Sequence, residues 1–335
     1  MLIKSRQEHP GTQTGARPTM MNRNISIDII IPTYKPGESL LTIVEKLRAQ
    51  TVPPNRIVLI NTEQKYMTNL LRGKSYDKTG RYFEVRNVSE REFDHGGTRN
   101  EGAKGSEADY LLFMTQDAVP ADDRLIENMA GAFSDDNVAA VYARQLPESD
   151  ASLGERFSRQ FNYPDESCVK SSRDKDRLGI KTYFCSNVCA MYRREIFERL
   201  GKFPKDMIFN EDMVFAHTLI VNGYSIAYAA DARVYHSHNY TNMQQFHRNF
   251  DLAVSQAMHP EVFGDVSSES EGKSYAKSAF AYFRQEKRPL YFIPFAVTCA
   301  FRLAGYKLGM NYKRLTRRRI LKCTASPVYF YKHWS

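Results

Sequence analysis

Two short apolar segments decide the fold of this chain: residues 25–32 read ISIDIIIP, and residues 110–114 read YLLFM. Each ends abruptly at a polar residue, Thr33 after the first and Thr115 after the second. Short runs of β-branched and bulky apolar residues predict strands that are buried on both faces, as in a parallel sheet. Similar runs predict further strands at 56–61, 82–88, 138–144 and 227–236.

Helical periodicity alternates with these strands. Helices are predicted at 39–50, 98–108, 193–200 and 211–222, and the chain is predicted to stay largely helical from Met243 onward. The alternation predicts an α/β fold, a mostly parallel open sheet flanked by helices, with its ligand site at the carboxyl ends of the strands. We therefore expect a main domain at 25–240 and a helical C-terminal appendage at 241–335.

The net charge of +9 is concentrated at the C-terminal end. From Arg284 onward the chain holds twelve of its 47 basic residues and only one of its 38 acidic ones, Glu286, so the rest is nearly neutral. A nucleic-acid-binding protein usually carries its charge on the folded face that reads the polymer, so no nucleic-acid partner is expected. The tail mixes basic residues with rings such as Tyr291 and Trp334, which suits an anionic membrane surface. An ordinary solvated tail packed by its aromatic residues is the alternative.

Three further features of the sequence indicate where in the cell the protein is located. Residues 1–24 lack the apolar stretch of a secretion signal and predict a disordered leader. The longest apolar run, 290–301, is interrupted by Pro294 and falls short of the roughly 20 residues needed to cross a bilayer. Five scattered cysteines in 335 residues favour reduced thiols over a disulfide framework. We therefore expect the protein to be cytoplasmic and to lie at the cytoplasmic face of the membrane.

Candidate metal ligands follow two of the predicted strands. A carboxylate such as Asp117, on a short loop after a buried strand, is held firmly and can bind Mg²⁺ together with substrate phosphates. A turn-forming aspartate before Pro120 explains that residue equally well. His236 and His238 point to the same face of an extended chain, so one of them could complete a metal shell. Hydrogen-bonded surface histidines are the simpler alternative.

Asn210, Glu211 and Asp212 open the helix predicted at 211–222. Asn210 suits the N-cap, and two acids in the first turn suit the helix dipole, so capping alone would explain all three. An aspartate held at a helix N-terminus could also remove a proton from a substrate hydroxyl, as a general base does. The residues by themselves favour capping and leave catalysis open.

Taken in order, these segments resemble the family-2 glycosyltransferases of the GT-A fold over about 25–240. The resemblance rests on IPTY at 31–34, GTRNEG at 97–102, LLFM at 111–114 followed by Asp117, and Glu211-Asp212. Three further stretches are similar to bacterial rhamnosyltransferases that build cell-wall or O-antigen polysaccharides: FDHGGTRN at 93–100, YHSHNY at 235–240 and FHRNFD at 246–251.

The resemblance implies an inverting glycosyltransferase that moves a sugar, rhamnose in this subgroup, from dTDP-rhamnose or a UDP-sugar to a glycan or polyprenyl-linked acceptor. It implies that Asp212 is the catalytic base, and that Asp117 binds Mg²⁺ or Mn²⁺ with His236 or His238 as a further ligand. The nucleotide pocket is expected to be lined by Pro32, Thr33, Tyr34, Glu63, Arg99 and Gln116.

The chain departs from the family pattern in two places. Thr115 replaces the first aspartate of the family's Asp-x-Asp motif, and Asn61-Thr62-Glu63 stands where an aspartate often ends the second strand. A transferase using a UDP-hexose is therefore an alternative, and so is a non-catalytic nucleotide-sugar or polysaccharide-binding module, since fold does not imply function. A nicotinamide dehydrogenase is disfavoured because 33–39 contains only Gly37 of the Gly-x-Gly-x-x-Gly turn.

Overall fold

The computed structural model of the chain describes residues 25–73, 83–264 and 268–334. The leader predicted at 1–24 and the start of the strand predicted at 82–88 lie outside these residues. Within them, nine strands form one sheet: β1 (Ile27–Tyr34), β2 (Arg56–Thr62), β3 (Glu84–Val88), β4 (Tyr110–Met114), β5 (Val119–Pro120), β6 (Val138–Leu146), β7 (Cys168–Lys170), β8 (Cys189–Arg193) and β9 (Ser225–Tyr235).

The helices of the main domain are α1 (Glu38–Arg48), α2 (Gln64–Leu71), α3 (His95–Ala103), α4 (Leu125–Gly131), α5 (Leu153–Asn162), α6 (Lys175–Leu178), α7 (Arg194–Arg199) and α8 (Glu211–Val221). Those of the C-terminal region are α9 (Asn242–Met258), α10 (Pro260–Phe263), α11 (Ser268–Gln285), α12 (Phe292–Met310), α13 (Arg317–Cys323) and α14 (Pro327–Trp334). Short 3₁₀ turns lie at Ser172–Asp174, Gly179–Tyr183, Pro289–Tyr291 and Tyr312–Arg314.

The strand order is β3-β2-β1-β4-β8-β6-β9-β5, with β7 also paired to β9. The first four strands run parallel, as the alternation of strands and helices predicted. β8 was not predicted, because CAMYR is short and its Ala, Met and Arg favour a helix as readily as a strand. β8 is antiparallel to both β4 and β6, and β9 is parallel to β6. The carboxyl ends of β1, β2, β4, β6 and β9 therefore meet at one edge of the sheet, together with the start of β8.

The core lies on both faces of this sheet. Alternate residues of β1 face opposite sides: Ile29 and Ile31 pack with α1 and α4, whereas Ile30 packs with α3 and α8. A Cβ at Gly102 of α3 would overlap the Ile30 side chain, so α3 rests directly on the sheet. This close packing fixes the start of α3 at the edge where the strands end.

The helix predicted at 98–108 is displaced toward the N-terminus. α3 begins at His95 because the Asp94 carboxylate accepts a hydrogen bond from the Gly97 amide at 2.6 Å and caps the helix. The glycine pair thus lies inside the helix rather than before it. A Cβ at Gly96 would overlap the Pro204 carbonyl oxygen, so glycine permits the close approach of α3 to the segment before α8.

The predicted helical character of the C-terminal region is confirmed. α12 packs closely on α9, since a Cβ at Gly305 or Gly309 would overlap the carbonyl oxygen of Phe246 or Phe250. The opposite side of α12 carries exposed apolar residues: Ile293, Val297, Leu303, Leu308 and Met310. Among the described residues, no helix combines the length and apolar character that a bilayer crossing requires.

Candidate functional site

The ends of β1 and β4 are joined by the side chain of Gln116. Its Oε1 accepts from the Tyr34 amide at 2.9 Å, and its Nε2 donates to the Tyr34 carbonyl at 3.0 Å. Both polar atoms of the Gln116 side chain therefore bind the backbone of Tyr34, and the next residue, Asp117, is held near Tyr34. Gln116 lies at the strand ends, where the nucleotide pocket was expected. Its side-chain hydrogen bonds are made to the Tyr34 backbone.

Thr33, expected in the nucleotide pocket, lies in a buried row of polar side chains. Thr33 is buried, and its hydroxyl donates to Asn61 Oδ1 at 3.4 Å; Asn61 in turn donates to Asn87 Oδ1 at 2.8 Å. Pro32 is partly buried within β1. This row of polar side chains joins β1, β2 and β3 through Thr33, Asn61 and Asn87, and Pro32 is not part of it.

Glu63 follows β2 in an uncommon backbone conformation, with a φ of 67°. Its amide donates to the Val88 carbonyl at 2.9 Å, and its Oε1 accepts from the Glu90 amide at 2.9 Å. These bonds tie the end of β2 to the segment after β3 and stabilise the strained residue.

Asp117, His236 and His238 converge at the same edge. One carboxylate oxygen of Asp117 lies 3.5 Å from His236 Nε2, the other lies 3.3 Å from His238 Nε2, and the two Nε2 atoms are 3.2 Å apart. One ligand atom of each residue lies within 4.8 Å of the others. A carboxylate with two imidazoles is a donor set that suits a divalent transition metal ion. We call these three residues the Asp-His triad.

The hydrogen bonds of Gln145 determine which nitrogen of His236 faces the triad. Gln145 Oε1 accepts from the Arg159 guanidinium, which can only donate, and it lies 3.0 Å from His236 Nδ1. His236 Nδ1 must therefore carry the proton, which leaves the Nε2 lone pair directed toward Asp117. Burial lowers the pKa of His236 to about 3, so the imidazole is neutral near pH 7, as a metal ligand must be. The residues present thus fit a bound divalent cation.

Glu211 and Asp212 form a second acidic group at the start of α8. Asp212 Oδ2 accepts from the Asn187 amide at 3.0 Å, and Oδ1 accepts from the Met213 amide at 2.8 Å. Asn210 occupies the N-cap position of α8 as expected, but its φ of 64° is left-handed and its side chain makes no capping hydrogen bond. Asp212 itself remains partly exposed.

The two neighbouring carboxyl groups titrate differently. Burial and the adjacent Glu211 carboxylate raise the pKa of Asp212 to about 7. Burial also opposes ionisation of Glu211, but the positive charge of Arg99, assisted by His95 and by a hydrogen bond from Asn187, outweighs it and lowers the pKa of Glu211. Glu211 therefore stays ionised, while Asp212 can accept a proton near neutral pH, the behaviour expected of a general base.

Arg99 was expected beside the base or diphosphate of a nucleotide. Its guanidinium instead forms an ion pair with Glu211 Oε1, 3.0 Å away, and donates a hydrogen bond to the His95 carbonyl at 2.9 Å. The side chain is only 7% exposed. The structure places Arg99 beneath the two acids, where it sets the charge of Glu211.

The segment before β8 joins the triad to the acids. Gln145, which orients His236, donates to Ser186 Oγ at 3.0 Å, and the next residue, Asn187, holds Asp212. Sequence reasoning missed Gln145 and Asn187, because nothing in their local sequence indicates the distant side chains that they bind.

Arg248 of α9 is a further residue whose role was not predicted, although it lies in the quoted segment at 246–251. Its guanidinium lies 4.6 Å from the centre of the Tyr240 ring and 5.5 Å from that of Phe209. It forms no ion pair with a carboxylate in the described parts of the chain. Burial is the main cause that lowers the pKa of His236 and His238, and the positive charge of Arg248 lowers both values further. Arg248 is thus a cation held by aromatic rings close to the triad.

A cavity of about 460 Å³ opens at the ends of β1 and β2, where Tyr34 and Thr62 contribute to its lining. The Tyr34 ring meets the Tyr66 ring edge to face at 5.6 Å, and Lys35 Nζ lies 4.9 Å from the centre of the Tyr34 ring. The volume lies within the range of small-molecule sites. The crevice is therefore open rather than filled by side chains.

Comparison with known proteins identifies the family of this chain. Residues 28–201 match the sequence pattern of glycosyl transferase family 2. The chain is 39% identical over 294 residues to the O-antigen chain rhamnosyltransferase RfbN of Salmonella typhimurium, covering 87% of this chain and 91% of that protein. The O-antigen chain rhamnosyltransferase WbaN of Salmonella anatum gives the same identity and coverage.

Among solved structures, the mannosyltransferase PcManGT from Pyrobaculum calidifontis, in complex with GDP-Man and Mn²⁺, has the same fold. The TM-score is 0.60 over 88% of this chain and 89% of that one, at 14% sequence identity.

Proposed function

The chain belongs to glycosyltransferase family 2, and on that premise we propose that it transfers rhamnose from dTDP-rhamnose to a hydroxyl group of a growing glycan, with inversion at the anomeric carbon. The observation that carries the choice of sugar is the 39% identity to two O-antigen rhamnosyltransferases over 87% of the chain. The residues of the crevice support the reaction, as follows.

Asp212 is the proposed general base. Two backbone amides orient its carboxylate, and its pKa of about 7 allows it to take a proton at neutral pH. It would remove the proton of the acceptor hydroxyl as the oxygen attacks the anomeric carbon from the face opposite the leaving group. This single displacement inverts the configuration and requires no nucleophile from the enzyme.

Asp117, His236 and His238 are the proposed ligands of Mg²⁺ or Mn²⁺. A divalent cation bound there supplies charge neutralisation for the diphosphate leaving group. Three neutral or anionic donor atoms within 4.8 Å, and a His236 tautomer with its lone pair turned inward, support this assignment. The structure of PcManGT was solved in complex with GDP-Man and Mn²⁺.

Arg248 and Tyr34 are the proposed donor-binding side chains near the triad. Arg248 offers a guanidinium without a carboxylate partner among the described residues, and guanidinium groups bind phosphate oxygens well. Tyr34 is exposed at the cavity and adjoins the Asp117 loop through Gln116. Its ring could stack on the nucleobase. Pro32, Thr33 and Glu63 would shape the floor of that pocket, and Arg99 would act through Glu211.

Turnover of a panel of dTDP- and UDP-sugars, with Mn²⁺ and with a chelator, tests the function. We expect metal-dependent transfer or hydrolysis of dTDP-rhamnose. Asp212→Asn is expected to lower turnover by about 10²–10⁴-fold with nucleotide binding unchanged. Turnover of a UDP-hexose instead would replace the proposed donor, and no turnover or binding of any nucleotide sugar would return the chain to a non-catalytic role.

We also propose that the C-terminal region docks on the anionic cytoplasmic face of a membrane, where a polyprenyl-linked acceptor would be presented. Exposed apolar residues line one side of α12, and Ile293 is 65% exposed. Exposed basic residues flank the helix: Arg284, Lys287, Arg288, Lys313, Arg314, Arg317, Arg318 and Arg319. Apolar insertion and attraction of cations to anionic lipid, about 1 kcal/mol per charge, act together in such surfaces.

Flotation with vesicles of neutral and anionic lipid tests the docking. We expect binding to anionic vesicles that high salt weakens, and Ile293→Glu is expected to reduce it at least fivefold. Val221→Glu is the control, because Val221 is 58% exposed but lies on α8 of the main domain. Equal flotation of the two variants, or none by the unaltered protein, would remove the membrane from the proposal.

A further inference from the structure

We propose that helix α14, at the C-terminal end of the chain, forms one wall of the pocket for the nucleoside of the donor. The inference rests on the proposed function and assigns a part of the donor site to a region outside the family-2 match at 28–201. The motifs of the main domain gave no indication that the end of the chain reaches the donor.

The first step is the location of the cavity. It starts at Tyr34 and Thr62, the carboxyl ends of β1 and β2, where a sheet of this kind binds its ligand. Tyr34 is hydrogen-bonded to Gln116, and Gln116 directly precedes Asp117. A diphosphate at the Asp-His triad would therefore have its nucleoside next to Tyr34, and the cavity of about 460 Å³ is the space available there.

The second step is what closes this space. The wall facing Tyr34 is contributed by Val328, Tyr329 and Lys332 of α14. These residues have the spacing i, i+1, i+4 and therefore share one face of the helix. Phe330 and Trp334 lie on the other side, with ring centres 5.5 Å apart. Phe330 is buried in a cluster with Ile208, Phe250 and Ile320, so the orientation of α14 is fixed by packing.

The third step is that α14 is anchored at both ends. Before the helix, the buried Asp251 carboxylate accepts from Thr324 Oγ1 at 2.5 Å and from the Ala325 amide at 3.0 Å. Along the helix, the Tyr329 hydroxyl donates to the Asp206 carbonyl at 3.1 Å, and Lys332 Nζ lies 2.6 Å from Asp206 Oδ1. Asp206 belongs to the segment that leads to α8 and Asp212. The wall is thus part of the folded site rather than a loose tail.

The chemistry of the lining favours a nucleoside over a sugar. Tyr34, Phe93 and Tyr329 contribute aromatic surface, and Val328 and Met207 contribute apolar surface. Planar bases bind to such surfaces by stacking and apolar contact. The lining also contains polar side chains, Arg91 and Lys332 among them, but most of its exposed surface is apolar. A glycan acceptor, rich in hydroxyl groups, favours a mostly polar surface.

Val328→Trp tests the proposal by filling the cavity. Val328 is 40% exposed and lines the cavity, so a larger side chain there occupies ligand space without disturbing the buried core. Tyr331→Trp is the matched control, because Tyr331 is on the same helix, is 58% exposed and does not line the cavity. With dTDP and Mn²⁺ in calorimetry, we expect at least a tenfold rise in Kd for Val328→Trp and less than a twofold change for Tyr331→Trp.

A measurement on the unaltered protein keeps the test independent of variant folding. Trp334 is the single tryptophan of the chain and lies on α14, so its fluorescence reports directly on this helix. We expect saturable dTDP binding to change the emission with the Kd found by calorimetry. Unchanged Kd values and unchanged emission would overturn the assignment, as would a Val328→Trp effect confined to the KM of the acceptor. If the unaltered protein binds no nucleotide at all, the proposed function itself fails.

Discussion

Replacing Glu211 with Gln should move the pH dependence of the reaction toward acid. Burial is the largest cause that raises the pKa of Asp212 from 3.8 to about 7, and the Glu211 charge is the second. Removing that charge should lower the Asp212 pKa by about 1 unit, equivalent to about 1.4 kcal/mol. Arg99, no longer neutralised by Glu211, adds its positive charge in the same direction.

The sign of the effect follows from the proposed role of Asp212 as a general base. Only the ionised carboxylate accepts a proton, so kcat/KM of the unaltered enzyme should rise with pH and level off above about 7. The Glu211→Gln enzyme should level off near pH 6. The glutamine carbonyl can still accept the hydrogen bond that Asn187 Nδ2 donates to Glu211 Oε1 at 3.3 Å, so the geometry around Asp212 is preserved.

Initial rates between pH 5 and pH 9, with saturating metal at constant ionic strength, measure this shift. Glu198→Gln is the control, since Glu198 pairs with Arg194 at the surface, 2.9 Å away, and should leave the profile unchanged. Leaving Arg99 buried without its carboxylate should cost on the order of 3 kcal/mol of stability, so rates must be taken well below the unfolding midpoint.

The reasoning would be refuted if the acidic limb of the kcat/KM profile stays in place, or moves to higher pH, in the Glu211→Gln enzyme. It would be refuted equally by an unaltered enzyme whose kcat/KM is flat from pH 5 to pH 8. Either result would mean that Asp212 is not the group whose ionisation controls the rate.

Three further predictions concern other parts of the molecule. His238→Ala should raise the Mn²⁺ concentration for half-maximal activity and the Kd for Mn²⁺ at least about tenfold, with His259→Ala as a neutral control. Burial raises the pKa of Asp251 to about 6, so its ionisation destabilises the folded state as pH rises above 4. Between pH 4 and pH 7 the free energy of unfolding of the unaltered protein, relative to that of Asp251→Asn, should fall by about 2 kcal/mol in urea unfolding. Gly309→Ala should lower the unfolding free energy by about 1–3 kcal/mol because its Cβ would overlap the Phe250 carbonyl, whereas Gly131→Ala, where a Cβ meets nothing, should be neutral or slightly stabilising.

The parts of the site that the sequence predicted are those that local patterns determine. An apolar run that stops at a polar residue marks a strand end, and parallel strands bring such ends together. The positions of Tyr34, Asp117 and His236 followed from this rule, and β1, β2 and β4 lie within two residues of their predicted bounds. Both histidines, rather than one, meet Asp117 because β9 ends beside the loop that follows β4.

The parts that could not be predicted depend on partners distant in sequence. An arginine at the start of a helix suits a phosphate as well as a carboxylate, so only the fold reveals that Arg99 is paired with Glu211. The displacement of α3 has a similar origin, because Gly96 is required by the approach of Pro204 rather than by a local turn. Gln145 orients His236 from 91 residues away, and its local sequence contains no signal of that contact.

The unpredicted residues also explain how the two halves of the proposed site keep a fixed spacing. In an inverting transfer the base and the leaving group must lie on opposite sides of the anomeric carbon, so an error of about 1 Å in either position is costly. The Ser186 hydroxyl accepts a hydrogen bond from the side-chain amide of Gln145, which orients His236. The amide of its neighbour Asn187 donates to the Asp212 carboxylate. The Thr115 amide donates to the Val188 carbonyl at 3.1 Å, which secures the start of the Asp117 loop to the same segment. The three consecutive residues Ser186, Asn187 and Val188 thus hold the proposed metal ligands and the proposed base at a fixed spacing. Local sequence patterns around Asp117 and Asp212 could not reveal this.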